Sequence, residues 1–84
     1  MTPNDIRSKV LAALTGIAPE TDPAQIRPQV SLRDQLDIDS MDFLKFAIAL
    51  HKEFEVDIPE RDYSKLATLD GCVNYLSRAL RGGG

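Results

Sequence analysis

Tryptophan is absent from the 84 residues, and cysteine and histidine each occur once. Each shortage excludes something. A lone Cys72 leaves no partner for an internal disulfide and too few ligands for a metal site of its own. Its expected role is that of a small buried apolar side chain, against the alternative of a reactive thiol. Glycine stands only at Gly16, Gly71 and in the run Gly82-Gly83-Gly84, so a phosphate-cradling glycine loop is missing. No apolar run approaches the roughly 20 residues that span a bilayer. Basic residues are outnumbered, giving a net charge of −3, and nucleic acid is therefore not the expected partner. The opening Met1-Thr2-Pro3-Asn4-Asp5 has neither the basic start nor the apolar stretch of a signal peptide, so a cytoplasmic location is expected.

What is present suits one small soluble domain over residues 1–84, with 43% hydrophobic and 27% charged residues. Thr2-Pro3 is a helix start, since threonine caps and proline fits the first helical position. Ile6, Val10, Ala13, Leu14 and Ile17 follow at helical spacing, and Gly16 marks the expected end. Pro19, Pro23 and Pro28 forbid a continuous helix across the next stretch. Val30, Leu32 and Leu36 supply apolar anchors, so this long connection is expected to pack down. Ordered connections of such length are often functional.

A second main helix is expected from Asp39 or Ser40 to about Phe54. At 100° per residue, Phe43, Phe46, Ala47, Leu50 and Phe54 share the arc that faces the core. Asp42, Lys45, Ala49, Lys52 and Glu53 form a polar arc. Met41, Leu44 and Ile48 make a second apolar stripe, which either packs on the long connection or meets a partner protein. Asp57-Ile58-Pro59-Glu60 interrupts the pattern, and a short helical turn is expected around Arg61 to Leu66. Thr68 can cap a last helix in which Leu69, Val73, Leu76 and Leu80 share a face. Gly82 to Gly84 is expected as a frayed tail. The sum is an all-α fold, a small bundle with helices of unequal length.

Intrinsic catalysis fits poorly. His51 lies eleven residues after Ser40, about 16 Å along a helix, beyond the hydrogen-bond reach a general base requires. A solvated surface imidazole is the simpler reading. Asp37, Asp39 and Asp42 surround a helix start, where they favour the dipole and free N–H groups without any substrate. Asp39-Ser40 by itself is a helix cap, with Asp39 accepting from Met41 or Asp42. A serine in the first turn nevertheless presents its hydroxyl where an attached phosphate is favoured. It also sits at an exposed junction of loop and helix, followed by the spare apolar stripe. These features describe a modifiable serine without naming the modification.

Leu36-Asp37-Ile38-Asp39-Ser40-Met41 resembles the Leu-Gly-x-Asp-Ser-Leu motif of the acyl carrier protein family. The resemblance runs from about Val30 to Leu80, through Leu50, Glu53-Phe54, Asp57-Ile58-Pro59, Lys65-Leu66-Ala67-Thr68-Leu69 and Tyr75-Leu76. It implies a four-helix bundle with a long loop between the first two main helices and a short third helix. It implies a carrier, not an enzyme, with 4′-phosphopantetheine from coenzyme A attached covalently to Ser40 Oγ by a separate phosphopantetheinyl transferase that uses Mg²⁺. Asp39 would position the metal and the serine during that transfer. The arm's thiol, not Cys72, would hold the acyl group as a thioester for acyl-loading and acyl-processing enzymes. Expected partner-facing residues are Met41, Asp42, Leu44, Lys45, Ile48, Lys52 and Glu53, and Phe46, Ala47 and Leu50 are candidates for a space that shelters the acyl group. No resident metal is implied, and a monomer is expected.

Two departures from the family pattern bear on chemistry. Asp37 stands where the family commonly has glycine, a neutral change if its φ is negative. Lys45, His51 and Lys52 occupy positions that are often acidic in fatty-acid-synthase carriers. From Met41 to Glu55, Asp42, Glu53 and Glu55 face Lys45 and Lys52, leaving the helix near −1. A dedicated pathway is the expectation, in specialised fatty-acid, polyketide or other secondary metabolism, with short, polar or peptidyl cargo favoured by the bulk of Phe43 and Phe46 if Phe46 lines the sheltering space. The alternatives are an aminoacyl or peptidyl carrier, and an unmodified helical adaptor.

Overall fold

The computed structural model describes residues 1–82, and every regular element among them is helical. Helix α1 spans Pro3–Ile17. Its start is a reciprocal cap: Asp5 N–H donates to Thr2 Oγ1 at 3.2 Å, and Thr2 N–H donates to Asp5 Oδ2 at 3.1 Å. Those bonds hold the Asp5 carboxyl below the usual carboxylate range, the backbone one most strongly. Ile6, Val10 and Leu14, each four residues after the last, form the buried stripe.

The connection from Ala18 to Ser31 is ordered and tied at several points. Asp22 caps a single 3-10 turn at Pro23–Gln25, and Ile26 is buried behind it. Gln35 then does what a run of loop backbone cannot do for itself. Its Nε2 donates to the carbonyls of Arg27 at 2.8 Å and Val30 at 3.0 Å, and its Oε1 accepts from Arg27 N–H at 2.9 Å. Pro28 O accepts from Asp70 N–H and Ala67 O from Leu32 N–H, so the loop is fastened to the opposite end of the chain. Leu32 is the expected anchor that becomes fully buried, whereas Val30 and Leu36 reach only half burial and Ile26 takes the second place.

A short helix, α2, covers Leu32–Leu36 and was not anticipated from the pattern. Helix α3 then runs Ser40–Phe54 and buries Phe43, Phe46, Ala47, Leu50 and Phe54, the arc read from the sequence. The expected turn after Pro59 is a 3-10 helix over Glu60–Leu66. Helix α4 spans Leu69–Gly82, with Thr68 Oγ1 accepting from Gly71 N–H at 2.9 Å. The fold is thus the expected all-α bundle, with α1 packed on both α3 and α4.

Two expectations about the last helix change. Its buried face is Leu69, Cys72 and Leu76, while Val73 is only half-buried and Leu80 is 37% exposed. Gly82 belongs to α4, and Gly83 and Gly84, the rest of the expected frayed tail, lie outside the described residues. Cys72 is fully buried and its Sγ donates to Leu66 O at 3.3 Å. Desolvation pushes its thiol up to about 12, which makes it inert at neutral pH. Tyr75 Oη donates to Asp62 Oδ2 at 2.7 Å and so clips α4 to the 3-10 helix.

Candidate functional site

The site is built by two consecutive local devices. Asp37 ends α2 at φ 53° and ψ 44°, a left-handed conformation that turns the chain. Because φ is positive, aspartate in place of glycine is not neutral here: an L-residue pays for its Cβ in this region, though aspartate pays less than most. Ile38 then dips into the core, and Asp39 caps α3. Asp39 Oδ1 accepts from Asp42 N–H at 2.9 Å, and its carbonyl accepts from Phe43 N–H at 3.0 Å. Of the two acceptor pairings expected for Asp39, the one with Asp42 is formed.

Ser40 follows the cap as the first residue of α3 and is exposed. Its hydroxyl stands at the positive end of a 15-residue helix, where negative charge is stabilised by the dipole and by N–H groups lacking an intrahelical acceptor. Beside it lies an open groove of about 520 Å³ between α3 and the 3-10 helix. Met41, Phe43 and Leu44 line the α3 side, Glu60, Tyr63 and Ser64 line the other, and Arg33 of α2 stands at the same opening as Ser40. A long substituent on Ser40 Oγ therefore meets no cover and finds a mixed apolar and polar channel next to its point of attachment.

The remaining candidates separate into three places. Phe46, Ala47 and Leu50, the candidates for sheltering an acyl group, are closed into the core at 0%, 1% and 0% exposure, and the residues lining the groove are different ones. Met41, Leu44 and Ile48 remain 62%, 38% and 42% exposed. The long connection does not bury this stripe, and a partly uncovered apolar surface remains. Lys45 and Lys52 are exposed beside it, and Asp42 is half-buried at its start. Glu53 is exposed but occupied, for Lys9 Nζ of α1 donates to its Oε1 at 2.9 Å. His51 is exposed on the surface as expected, and its Nδ1, 2.7 Å from Val56 O, also ties the end of α3 to the segment after it.

Sequence reasoning missed the far wall of the groove. Tyr63 and Arg33 carried no motif, and their signal is spatial: a short 3-10 helix and a short α2 bring them to Ser40. Phe43, expected on the core arc and as bulk bearing on cargo, serves both core and groove.

Comparison with known proteins identifies a family and a fold. The model of the family described as "Phosphopantetheine attachment site" matches residues 8–76. An acyl carrier protein of Bdellovibrio bacteriovorus is 33% identical over 57 residues, 68% of this chain and 73% of that protein. A mitochondrial acyl carrier protein of Neurospora crassa is 26% identical over 73 residues, 87% of this chain, and this chain spans only 54% of its length. A solved acyl carrier protein from Enterococcus faecalis superposes with a TM-score of 0.77 at 26% identity, covering 94% of this chain and 99% of that one.

Proposed function

The chain belongs to the phosphopantetheine attachment-site family, and on that premise we propose that Ser40 is its attachment residue, in an acyl carrier protein dedicated to a specialised pathway. Members of this family carry covalently attached 4′-phosphopantetheine, work with a phosphopantetheinyl transferase and acyl-processing enzymes, and are carriers rather than enzymes. Among the described residues no helix is long and apolar enough to cross a membrane. When bound, the arm supplies the thiol on which an acyl group travels as a thioester.

The observation that carries the reading is Ser40 itself, exposed at the first position of α3 and open to the groove. Its Oγ would form a bond to the phosphorus of coenzyme A that bears the pantetheine. The bond from that phosphorus to the adenosine bisphosphate portion breaks, and the hydroxyl proton leaves to a base on the transferase. Asp39 would support this step by fixing the first turn through Asp42 N–H, and its exposed carboxylate would help hold the transferase's Mg²⁺. Incubation with coenzyme A, Mg²⁺ and a broad-specificity transferase should add the mass of one arm, and Ser40→Ala should add none. An unmodified wild-type chain would favour the adaptor reading instead.

The dedicated pathway rests on the surface beside Ser40. Met41, Leu44 and Ile48 offer an apolar patch, and the charge around it is weak because Lys45 and Lys52 offset the acids while Lys9 engages Glu53. Steering toward a basic partner depends on the local field and should be slight. Binding to a general fatty-acid elongation enzyme is expected to be weak and nearly flat with salt. Tight, strongly salt-dependent binding and turnover would defeat this part of the proposal.

A further inference from the structure

The groove between α3 and the 3-10 helix opens beside Ser40, within reach of a group tethered there by a flexible arm. The floor of that groove is aromatic. Phe43, one turn after Ser40, is only 9% exposed, and its ring stands edge-on to Tyr63 at 6.4 Å and 72°. On its other side the same ring meets Phe46 at 5.9 Å, and Phe46 is fully buried. Three rings thus run from the groove to the core, joining α3 to the 3-10 helix. Edge-to-face and tilted contacts of this kind attract beyond the area they bury. The interior behind them is filled by Leu32, Leu50 and Leu66, all fully buried. A long alkyl chain entering from Ser40 must displace Phe43 or Tyr63 and then part these fully buried side chains.

The rims of the groove favour a different cargo. Arg33 stands on one side and Glu60 and Ser64 on the other, and among the described residues neither Arg33 nor Glu60 is engaged in an ion pair. An alkyl chain lying there would remain partly in water. A short acyl group bearing a hydroxyl, amide or amino group would find hydrogen-bond donors and acceptors instead. We propose that the Phe43–Tyr63 pair determines cargo specificity by closing the bundle interior to long chains, leaving short polar acyl groups to lie in the Arg33–Glu60 groove. The inference rests on attachment at Ser40.

The test loads the protein from acetyl-, 3-hydroxybutyryl- and dodecanoyl-coenzyme A with a broad-specificity transferase. Intact mass, the thermal midpoint and NMR shifts at Phe46 and Leu50 are then read. The dodecanoyl form should melt within about 1 °C of the acetyl form, with Phe46 and Leu50 unshifted, since a chain left outside adds nothing to the folded state. The 3-hydroxybutyryl form should shift Ser64 and Tyr63. Tyr63→Ala, and Tyr63→Leu as the milder change, should let the dodecanoyl form melt several degrees above its own acetyl form. A chain-length-dependent rise in the wild type with shifts at Leu50 would overturn the inference alone, as would variants that leave the long chain outside. Failure of every mass increment would overturn the attachment reading together with the inference built on it.

Discussion

Replacing Glu55 by glycine should stabilise the protein, although it deletes a side chain and adds flexibility. Glu55 closes α3 at φ 53° and ψ 41°, and it is one of two non-glycine residues with positive φ among those described, the other being Asp37. Both are exposed and neither is in an ion pair among the described residues, so little is lost with either carboxylate. A left-handed L-residue costs roughly 1–2 kcal/mol from its Cβ, and glycine removes that cost. Its greater freedom in the unfolded chain takes back about 0.5–1 kcal/mol. The net gain for Glu55→Gly is about 1 kcal/mol. Asp37→Gly should gain about half as much, because aspartate tolerates this region better. In a domain of this size 1 kcal/mol corresponds to about 4–8 °C in Tm. Urea unfolding of wild type, both glycine variants and Glu55→Ala gives the decisive comparison. Alanine keeps the strained Cβ and should leave the midpoint nearly unchanged, with the m-value constant throughout. A neutral or destabilising Glu55→Gly, or a Glu55→Ala that gains as much, would refute the strain argument.

Gly16 in α1 and Gly71 in α4 should respond to alanine in opposite ways. A Cβ at Gly71 would meet Lys65 O at 2.5 Å, a backbone atom that cannot step aside, so Gly71→Ala should cost about 1–3 kcal/mol. Gly16 has nothing within 4 Å, and Gly16→Ala in α1 should gain about 0.5–1 kcal/mol, both read by thermal unfolding. Alkali should unfold the protein early. Burial pushes Cys72 from 9.0 to about 12, and burial together with the bond to Asp62 pushes Tyr75 from 10.0 to about 12. Folded values above unfolded ones give stability that is whole below about pH 9 and lost as pH rises toward about 12, on the order of 4 kcal/mol from Cys72. Cys72→Ala should flatten that decline in urea titrations. At low pH the sign reverses for Asp62, which the Tyr75 hydroxyl holds below 3.8. Its contribution is present above 3.8 and lost as pH falls further, so Tyr75→Phe should make acid unfolding less steep. A thiol reagent at neutral pH should find no reactive cysteine in the unmodified native chain and one thiol after arm attachment. Ile48→Ala should leave stability within about 0.5 kcal/mol while weakening binding to an acyl-processing partner, since Ile48 is 42% exposed.

Much of this fold was legible because its signals are local. Thr2-Pro3, Asp39-Ser40 and Thr68 are caps, and the spacing of Phe43, Phe46, Ala47, Leu50 and Phe54 suffices to place α3 and its buried face. What escaped depends on contacts between distant residues. Helix α2 is too short for periodicity to reveal, and the long connection is held by Gln35 bonds that no motif announces. Leu80, expected on the apolar face of α4, lies near the end of that helix and stays 37% exposed. The position of Ser40 was readable, but its surroundings were not. Tyr63 and Arg33 reach the groove only through the folded path of the chain, and the positive φ of Asp37 follows from the turn between two helices. The Lys9–Glu53 pair, which weakens the acidity of α3, joins residues 44 positions apart.

The central claim is that Ser40, and no other hydroxyl, carries the arm. Ser31 and Ser64 line the same groove and serve as internal controls. Fragmentation mass spectrometry of the chain after reaction with coenzyme A, Mg²⁺ and transferase locates the added mass by residue. The account predicts one increment on the fragment containing Asp39-Ser40-Met41, absent from Ser40→Ala. An increment on Ser31 or Ser64, or one that persists in Ser40→Ala, would contradict it.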